Sequence, residues 1–177
     1  MKFSIKLILY NFICFKLLIF NSLAMDICEG SPQINQDKII QNWHNCEGMY
    51  FSDKFGKYNG YFVNGQINGP GEIIYSSRDK LGDKYIGNFK EGLPDGYGTY
   101  YFMSNNIYKG EFKKGKPDGK GKFFYLSDNT FKGDSYTGDW SNGKKEGYGL
   151  YIRSNGNKFI GEFKNDAANG SGMFLFN

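Results

Sequence analysis

Between residues 58 and 177 one spacing returns five times, and it narrows sharply what the chain can become. Tyr58-Asn59-Gly60, Tyr85-Ile86-Gly87, Tyr108-Lys109-Gly110, Tyr136-Thr137-Gly138 and Phe159-Ile160-Gly161 begin five units, 27, 23, 28 and 23 residues apart. Four residues after each start stands an aromatic: Phe62, Phe89, Phe112, Trp140 or Phe163. Seven after it comes Gly65, Gly92, Gly115 or Gly143, with Asp166 in the fifth unit. Two glycines follow at plus eleven and plus thirteen, running from Gly69/Gly71 and Gly96/Gly98 through Gly119/Gly121 and Gly147/Gly149 to Gly170/Gly172. Fifteen residues after each start comes Ile73, Tyr100, Phe123, Tyr151 or Phe174. Self-similarity at such a period is the mark of a repeat architecture in which each unit buries its apolar face against the next.

Within a unit the alternation has period two, which makes each one a β-hairpin. In Tyr85-Ile86-Gly87-Asn88-Phe89-Lys90 the Tyr, Gly and Phe share one face and Ile, Asn and Lys the other. In the return strand Gly96, Gly98, Tyr100 and Phe102 are expected to share a face likewise. The glycine at plus seven sits where a tight hairpin turn needs positive φ, and Asp166 tolerates that conformation better than most residues. Units one and three carry their extra residues in the connections 76–84 and 127–135, where insertions are tolerated. A bare glycine leaves a gap over the backbone that an aromatic ring from a neighbouring strand can cover. The fold expected is therefore all-β: an elongated single-layer antiparallel β-hairpin solenoid, stabilised by nearest-neighbour contacts.

Composition agrees. With 14 Tyr, 17 Phe and 2 Trp beside 25 Gly and only 4 Pro, the chain is too aromatic for a disordered segment and too poor in proline for collagen. Residues 1–24 read as a signal peptide: Lys2 and Lys6 lead into apolar runs, and Ser22-Leu23-Ala24 offers small residues at the first and third places before a cleavage site. An uncleaved membrane anchor is the alternative, against which Asn11 and Lys16 interrupt the run. Cleavage removes three lysines, taking Lys plus Arg from 22 to 19 against 18 acidic residues, so the net charge falls from +4 to +1. The global basic footprint that nucleic-acid binding requires disappears with it. A secreted or periplasmic location follows, or membrane association if the segment stays. Cys14 leaves with the leader, and the two remaining cysteines of an exported chain, Cys28 and Cys46, are expected to form a disulfide.

The Tyr-x-Gly-x-Phe pattern, with Gly at plus seven and Gly-x-Gly at plus eleven, resembles the MORN-repeat family over residues 58–177. The departures are Asp166 for Gly, Phe159 for Tyr, Trp140 for Phe and the two long connections. The resemblance implies a single-layer antiparallel sheet used as a scaffold or binding surface, in some members at membranes, and implies no catalysis by the repeats. Before the five repeats, Cys46-Glu47-Gly48-Met49-Tyr50 aligns with Gly96-Tyr97-Gly98-Thr99-Tyr100, so residues 25–57 read as an amino-terminal cap with a degenerate half repeat. A Cys28–Cys46 bridge would pin 29–45 over the first sheet edge, worth ~3 kcal/mol in the loop-entropy account.

Candidate chemistry is sparse. His44 is the only histidine and shows no orienting partner in sequence, and there is no nucleophile-elbow motif, so no enzymatic activity, cofactor or metal is expected. Asp95, Asp118 and Glu146 fall at plus ten, flanked by Asn68 and Asn169. At two strand spacings, ~9.5 Å, they favour a solvated acidic ridge over a calcium site. Lys90, Lys113, Lys114, Lys116, Lys144, Lys145 and Lys164 lie between plus five and plus nine, which aligns them along the hairpin-tip edge as a candidate contact for anionic phospholipid. The leading expectation is a scaffold that binds a protein or cell-envelope component through an aromatic face carried by Tyr58, Tyr85, Tyr108, Tyr136 and Trp140. In that reading the Phe rings pack the scaffold and the Tyr hydroxyls reach outward. The strand holding Met173-Phe174-Leu175-Phe176 is expected to be an apolar edge through which two copies could pair as a homodimer.

Overall fold

The computed structural model describes residues 26–34 and 40–177; the expected leader over 1–24 lies outside them. After a short strand β1 (Gln33–Ile34) the chain runs through β2 (Cys46–Ser52) and five hairpins. These are β3 (Gly56–Val63) with β4 (Gln66–Tyr75), β5 (Lys84–Lys90) with β6 (Leu93–Tyr101), and β7 (Ile107–Lys113) with β8 (Lys116–Phe124). The last two are β9 (Ser135–Ser141) with β10 (Lys144–Ile152) and β11 (Lys158–Lys164) with β12 (Ala167–Leu175). The strands form one sheet in strict chain order, antiparallel throughout except for the β1–β2 pair. No second layer covers this sheet among the described residues, so its core must be made on its own surface.

The repeated side chains make that core. The rings of Tyr58, Tyr85, Tyr108 and Tyr136 are 0–1 % exposed. Each lies flat over a pair of glycines facing one another across its hairpin: Gly60 and Gly71 under Tyr58, Gly87 and Gly98 under Tyr85, and so on. Any Cβ at those positions would collide with the ring or the facing backbone. The Phe or Trp at plus four then stands edge-on to the ring that opens its own unit and, from unit two onward, to the tyrosine of the unit before. Centroid separations along this column run from 4.7 Å at Trp43–Phe62 through 5.2 Å at Tyr58–Phe89 and 4.9 Å at Tyr85–Phe112 to 4.8 Å at Tyr136–Phe163. Edge-to-face contacts of this kind add roughly 0.5–1.5 kcal/mol each beyond area burial. A continuous ring column thus replaces the missing layer.

The two glycines of Gly-x-Gly do different jobs, and here the expected face-sharing fails. Between Gly87 and Phe89 the register of β5 against β6 slips through a bulge, and the same slip recurs in each of the five hairpins. The second glycine, such as Gly98, lies under the tyrosine. The first, such as Gly96, has φ of 95° and would aim a Cβ at Asn88 on the opposite face. Backbone conformation demands the first glycine and ring clearance the second.

The tips are as the sequence suggests. Asn64-Gly65, Glu91-Gly92, Lys114-Gly115 and Asn142-Gly143 have positive φ at both central positions, the two-residue turn whose twist matches antiparallel strands. Asn165-Asp166 keeps the same conformation, with φ of 49° and 72°. The extra residues of units one and three fall in the connections between hairpins, where Gly82 N–H and Gly133 N–H donate back to the Tyr75 and Tyr125 carbonyls.

Candidate functional site

The tyrosines expected to carry a binding face point inward. Their hydroxyls donate to backbone carbonyls three residues on: Tyr58 to Tyr61 at 3.2 Å, Tyr85 to Asn88 at 2.9 Å, Tyr108 to Glu111 at 2.9 Å and Tyr136 to Asp139 at 3.0 Å. Burial raises all four phenols well above the ordinary value of 10. Trp140 is buried as well, its indole N–H donating to the Gly121 carbonyl at 3.3 Å. The expectation that the Tyr hydroxyls reach outward is therefore corrected. A phenol in a column of edge-on rings has no route to water, and the nearest acceptor is its own strand's backbone.

Beside the buried column, on the same face, runs a second row of rings that remains accessible. Tyr75, Tyr100, Phe102, Phe123, Tyr125 and Tyr151 follow one another at centroid separations of 6.0, 4.6, 5.7, 4.6 and 5.9 Å. All but the buried Tyr100 are half-buried. Two carboxylates, the half-buried Asp83 and the buried Asp134, orient this row. Tyr100 donates to Asp83 at 2.7 Å and Tyr151 to Asp134 at 2.6 Å, while each carboxylate also accepts a backbone N–H, from Met103 and Ser154. Burial followed by the Asp83 charge pushes the Tyr75 phenol up to about 12.

The acidic row at plus ten is a row of stitches. Asn68 accepts from Glu91 N–H, Asp95 from Lys114, Asp118 from Asn142 and Glu146 from Asn165, all at 3.0–3.2 Å. Each side chain reaches forward to the first turn residue of the next hairpin, whose positive φ points its N–H outward. His44 does the same for Asn64 through Nδ1 at 3.2 Å, which accounts for the lone histidine structurally. A second set of stitches lies at the other sheet margin, two residues before each unit. Asp83, Asn106, Asp134 and Asn157 accept from the following connection at Met103, Leu126 with Ser127, Ser154 and Asn177. The recurrent Asp/Asn two residues before each of those four starts was the sequence signal for it. Among the described residues no three His, Cys, Asp or Glu side chains converge as a metal site would require.

Lys90, Lys113, Lys114, Lys116, Lys144 and Lys164 stand exposed along the tip edge, and among the described residues none has a carboxylate within ion-pair distance. Lys145 leaves this edge. It pairs with Trp140 across β9 and β10, so its side chain rises on the aromatic face. There its ammonium donates to the Tyr125 hydroxyl at 3.0 Å and lies 5.4–5.7 Å from the ring centres of Tyr125, Tyr136 and Tyr151. Treating Lys145 as an edge lysine is thus corrected by strand register: plus nine faces the column, where other units place Ile67, Pro94, Pro117 or Ala168.

At the amino-terminal side Cys46 pairs with Phe62 and Gly48 with Gly60, as Gly96 pairs with Phe112 and Gly98 with Gly110. Cys28 and Cys46 form a disulfide. Where a repeat would lay a tyrosine over Gly48, Trp43 and Cys28 do so instead: a Cβ there would lie 2.8 Å from the indole and 3.0 Å from Cys28 Sγ. The Trp43 indole N–H is satisfied by the Glu29 carbonyl at 2.9 Å.

A search of curated proteins finds no significant match to the chain. The family model for the MORN repeat matches five times, at residues 58–80, 85–107, 108–129, 136–158 and 159–177. These matches open on the same five residues that lie over the glycine pairs, and MORN repeats are generally non-enzymatic modules for binding proteins or membranes. The chain belongs to the MORN-repeat family.

Proposed function

We propose that the chain is an exported, non-catalytic scaffold that binds a protein of the cell envelope through the accessible aromatic row. The observation that carries this reading is that the row is continuous over four hairpins while its neighbours in the buried column are fully used for packing. Half-buried rings held by their own scaffold are ordered before binding, so a partner gains their area at little entropic cost. A photo-reactive residue placed at Phe102 or Phe123 should capture a partner from envelope extract. The same group at Lys109, on the opposite face, should not. Equal capture from both faces, or full partner recovery by a folded Phe102→Ser/Phe123→Ser variant, would remove this surface.

A second reading has support of its own. Six exposed tip lysines without ion-pair partners among the described residues form one edge, which suits anionic lipid headgroups, although the stitching carboxylates beside them weaken the field. Flotation with anionic and neutral vesicles at low salt decides it, absence of selective binding being the contrary result. Self-association through β12, the outermost strand of the sheet and exposed along its whole length, belongs to the same proposal. Light scattering should show a dimer that Leu175→Pro abolishes; a monomer at high micromolar concentration would exclude it.

A further inference from the structure

Four departures from the repeat converge on one groove. Lys145 replaces the apolar residue at plus nine, Asp166 replaces the turn glycine, Phe159 replaces the tyrosine, and the long connection of unit three raises Phe131 to within 6.0 Å of the Tyr125 ring. All of these but Tyr125 line one open cavity of about 780 Å³ on the aromatic face, together with Tyr151, Arg153 and Lys158. Its floor is apolar, formed by Phe159, Phe163 and Phe174. This volume lies within the usual range for small-molecule sites.

Lys145, Arg153 and Lys158 outnumber the two carboxylates of the groove, Asp134 and Asp166. Asp134 is only 7 % exposed and already accepts from Tyr151 and Ser154, and Asp166 accepts from the Lys145 backbone N–H at 2.9 Å. The half-buried Lys145 ammonium has three donors but only the Tyr125 hydroxyl and ring faces as partners, with no carboxylate in ion-pair range among the described residues. Arg153 and Lys158 add positive charge at the rim. A half-buried cation held over three rings stands in place of the Pro or Ile that would pack there, and it keeps donors to which an anionic ligand would be an acceptor.

We propose that this groove binds an amphipathic monocarboxylate, its carboxylate on the Lys145 ammonium and its apolar body along Phe159, Phe163 and Phe174. The site goes beyond the protein-binding reading and is probed separately from it, because Phe102 and Phe123 lie outside the groove. Titration calorimetry on the full chain, with decanoate, decylammonium and acetate as probes, tests it. Decanoate should bind, decylammonium and acetate should not, and added salt should weaken decanoate. Lys145→Met, which places an unbranched apolar chain where unit one has Ile67, should keep the fold and lower decanoate affinity about tenfold or more. Lys145→Arg should stay within about threefold of wild type, since it keeps the charge. Phe131→Ser, which removes the wall without touching the ring column, should weaken binding as well. No decanoate binding at millimolar concentration, equal binding of decylammonium, or unchanged affinity in a folded Lys145→Met variant would each overturn the assignment.

Discussion

The decisive residues are glycines, for two separate reasons. At Gly98 the φ angle is unremarkable and the constraint is space: the Tyr85 ring occupies the position of a side chain. Gly98→Ala should therefore cost about 2–4 kcal/mol, as overpacking of a rigid core does. In a urea double-mutant cycle with Tyr85→Ala, most of that cost should vanish, because the ring that resents the methyl is gone. Additive losses would show that backbone strain and not the ring sets the requirement. The tyrosines also predict a pH response. Burial raises the phenols of Tyr58, Tyr85, Tyr108 and Tyr136, so above pH 10 the unfolded chain releases protons that the folded chain keeps. Their contribution is intact below the unfolded value and is lost as pH rises past it, by about 1.4 kcal/mol per pH unit for each phenol. Denaturant midpoints should fall steeply above pH 10, with phenolate absorbance appearing together with unfolding. Phenolate titrating fully at pH 10 in a still-folded chain would contradict this.

Hairpins are tied to one another by bonds that repeat as faithfully as the rings. The side chain at plus ten takes the first turn N–H of the next hairpin. The N–H at plus seven donates to the plus-nine carbonyl of the hairpin before, as Gly115 does to Pro94 and Gly143 to Pro117 at 2.8 Å. Asp118→Ala should cost about 1 kcal/mol, the usual value for an exposed capping acceptor, and should speed hydrogen exchange chiefly at the β9–β10 tip. Exchange unchanged at Asn142 would mean that the bond is ornamental. This scale also separates what sequence reveals from what it hides. Strand order, hairpin pairing and the tip conformation follow from period-two alternation and from glycine at plus seven. The direction of the side chains after the bulge does not, because a slip of register inside each return strand turns Gly96 to the other face and Lys145 onto the aromatic one. The acceptor role of Asp95, Asp118 and Glu146 was equally veiled. A carboxylate stacked at a regular interval reads as surface charge until the neighbouring backbone donor is in view.

Across the sheet, stability is a sum of neighbouring contacts, since each strand makes its main contacts with the strands beside it. Damage should then stay local. Cys46→Ser removes the disulfide that holds Cys28 and Trp43 over Gly48, and should accelerate exchange in residues 40–63 while leaving β9 to β12 near wild type. Uniform loss of protection would instead indicate a single cooperative unit. The division between a buried ring column and an accessible row beside it underlies both the fold and the proposed binding surface, and chemical nitration of tyrosines with peptide mapping tests it most directly. In the folded chain Tyr97 and Tyr148, 55 % and 59 % exposed on the open face, should be modified readily, while Tyr58, Tyr85, Tyr108 and Tyr136 stay unmodified until denaturant is added. Nitration of Tyr85 or Tyr108 in native protein at the rate of Tyr97 would show that the column is not the core.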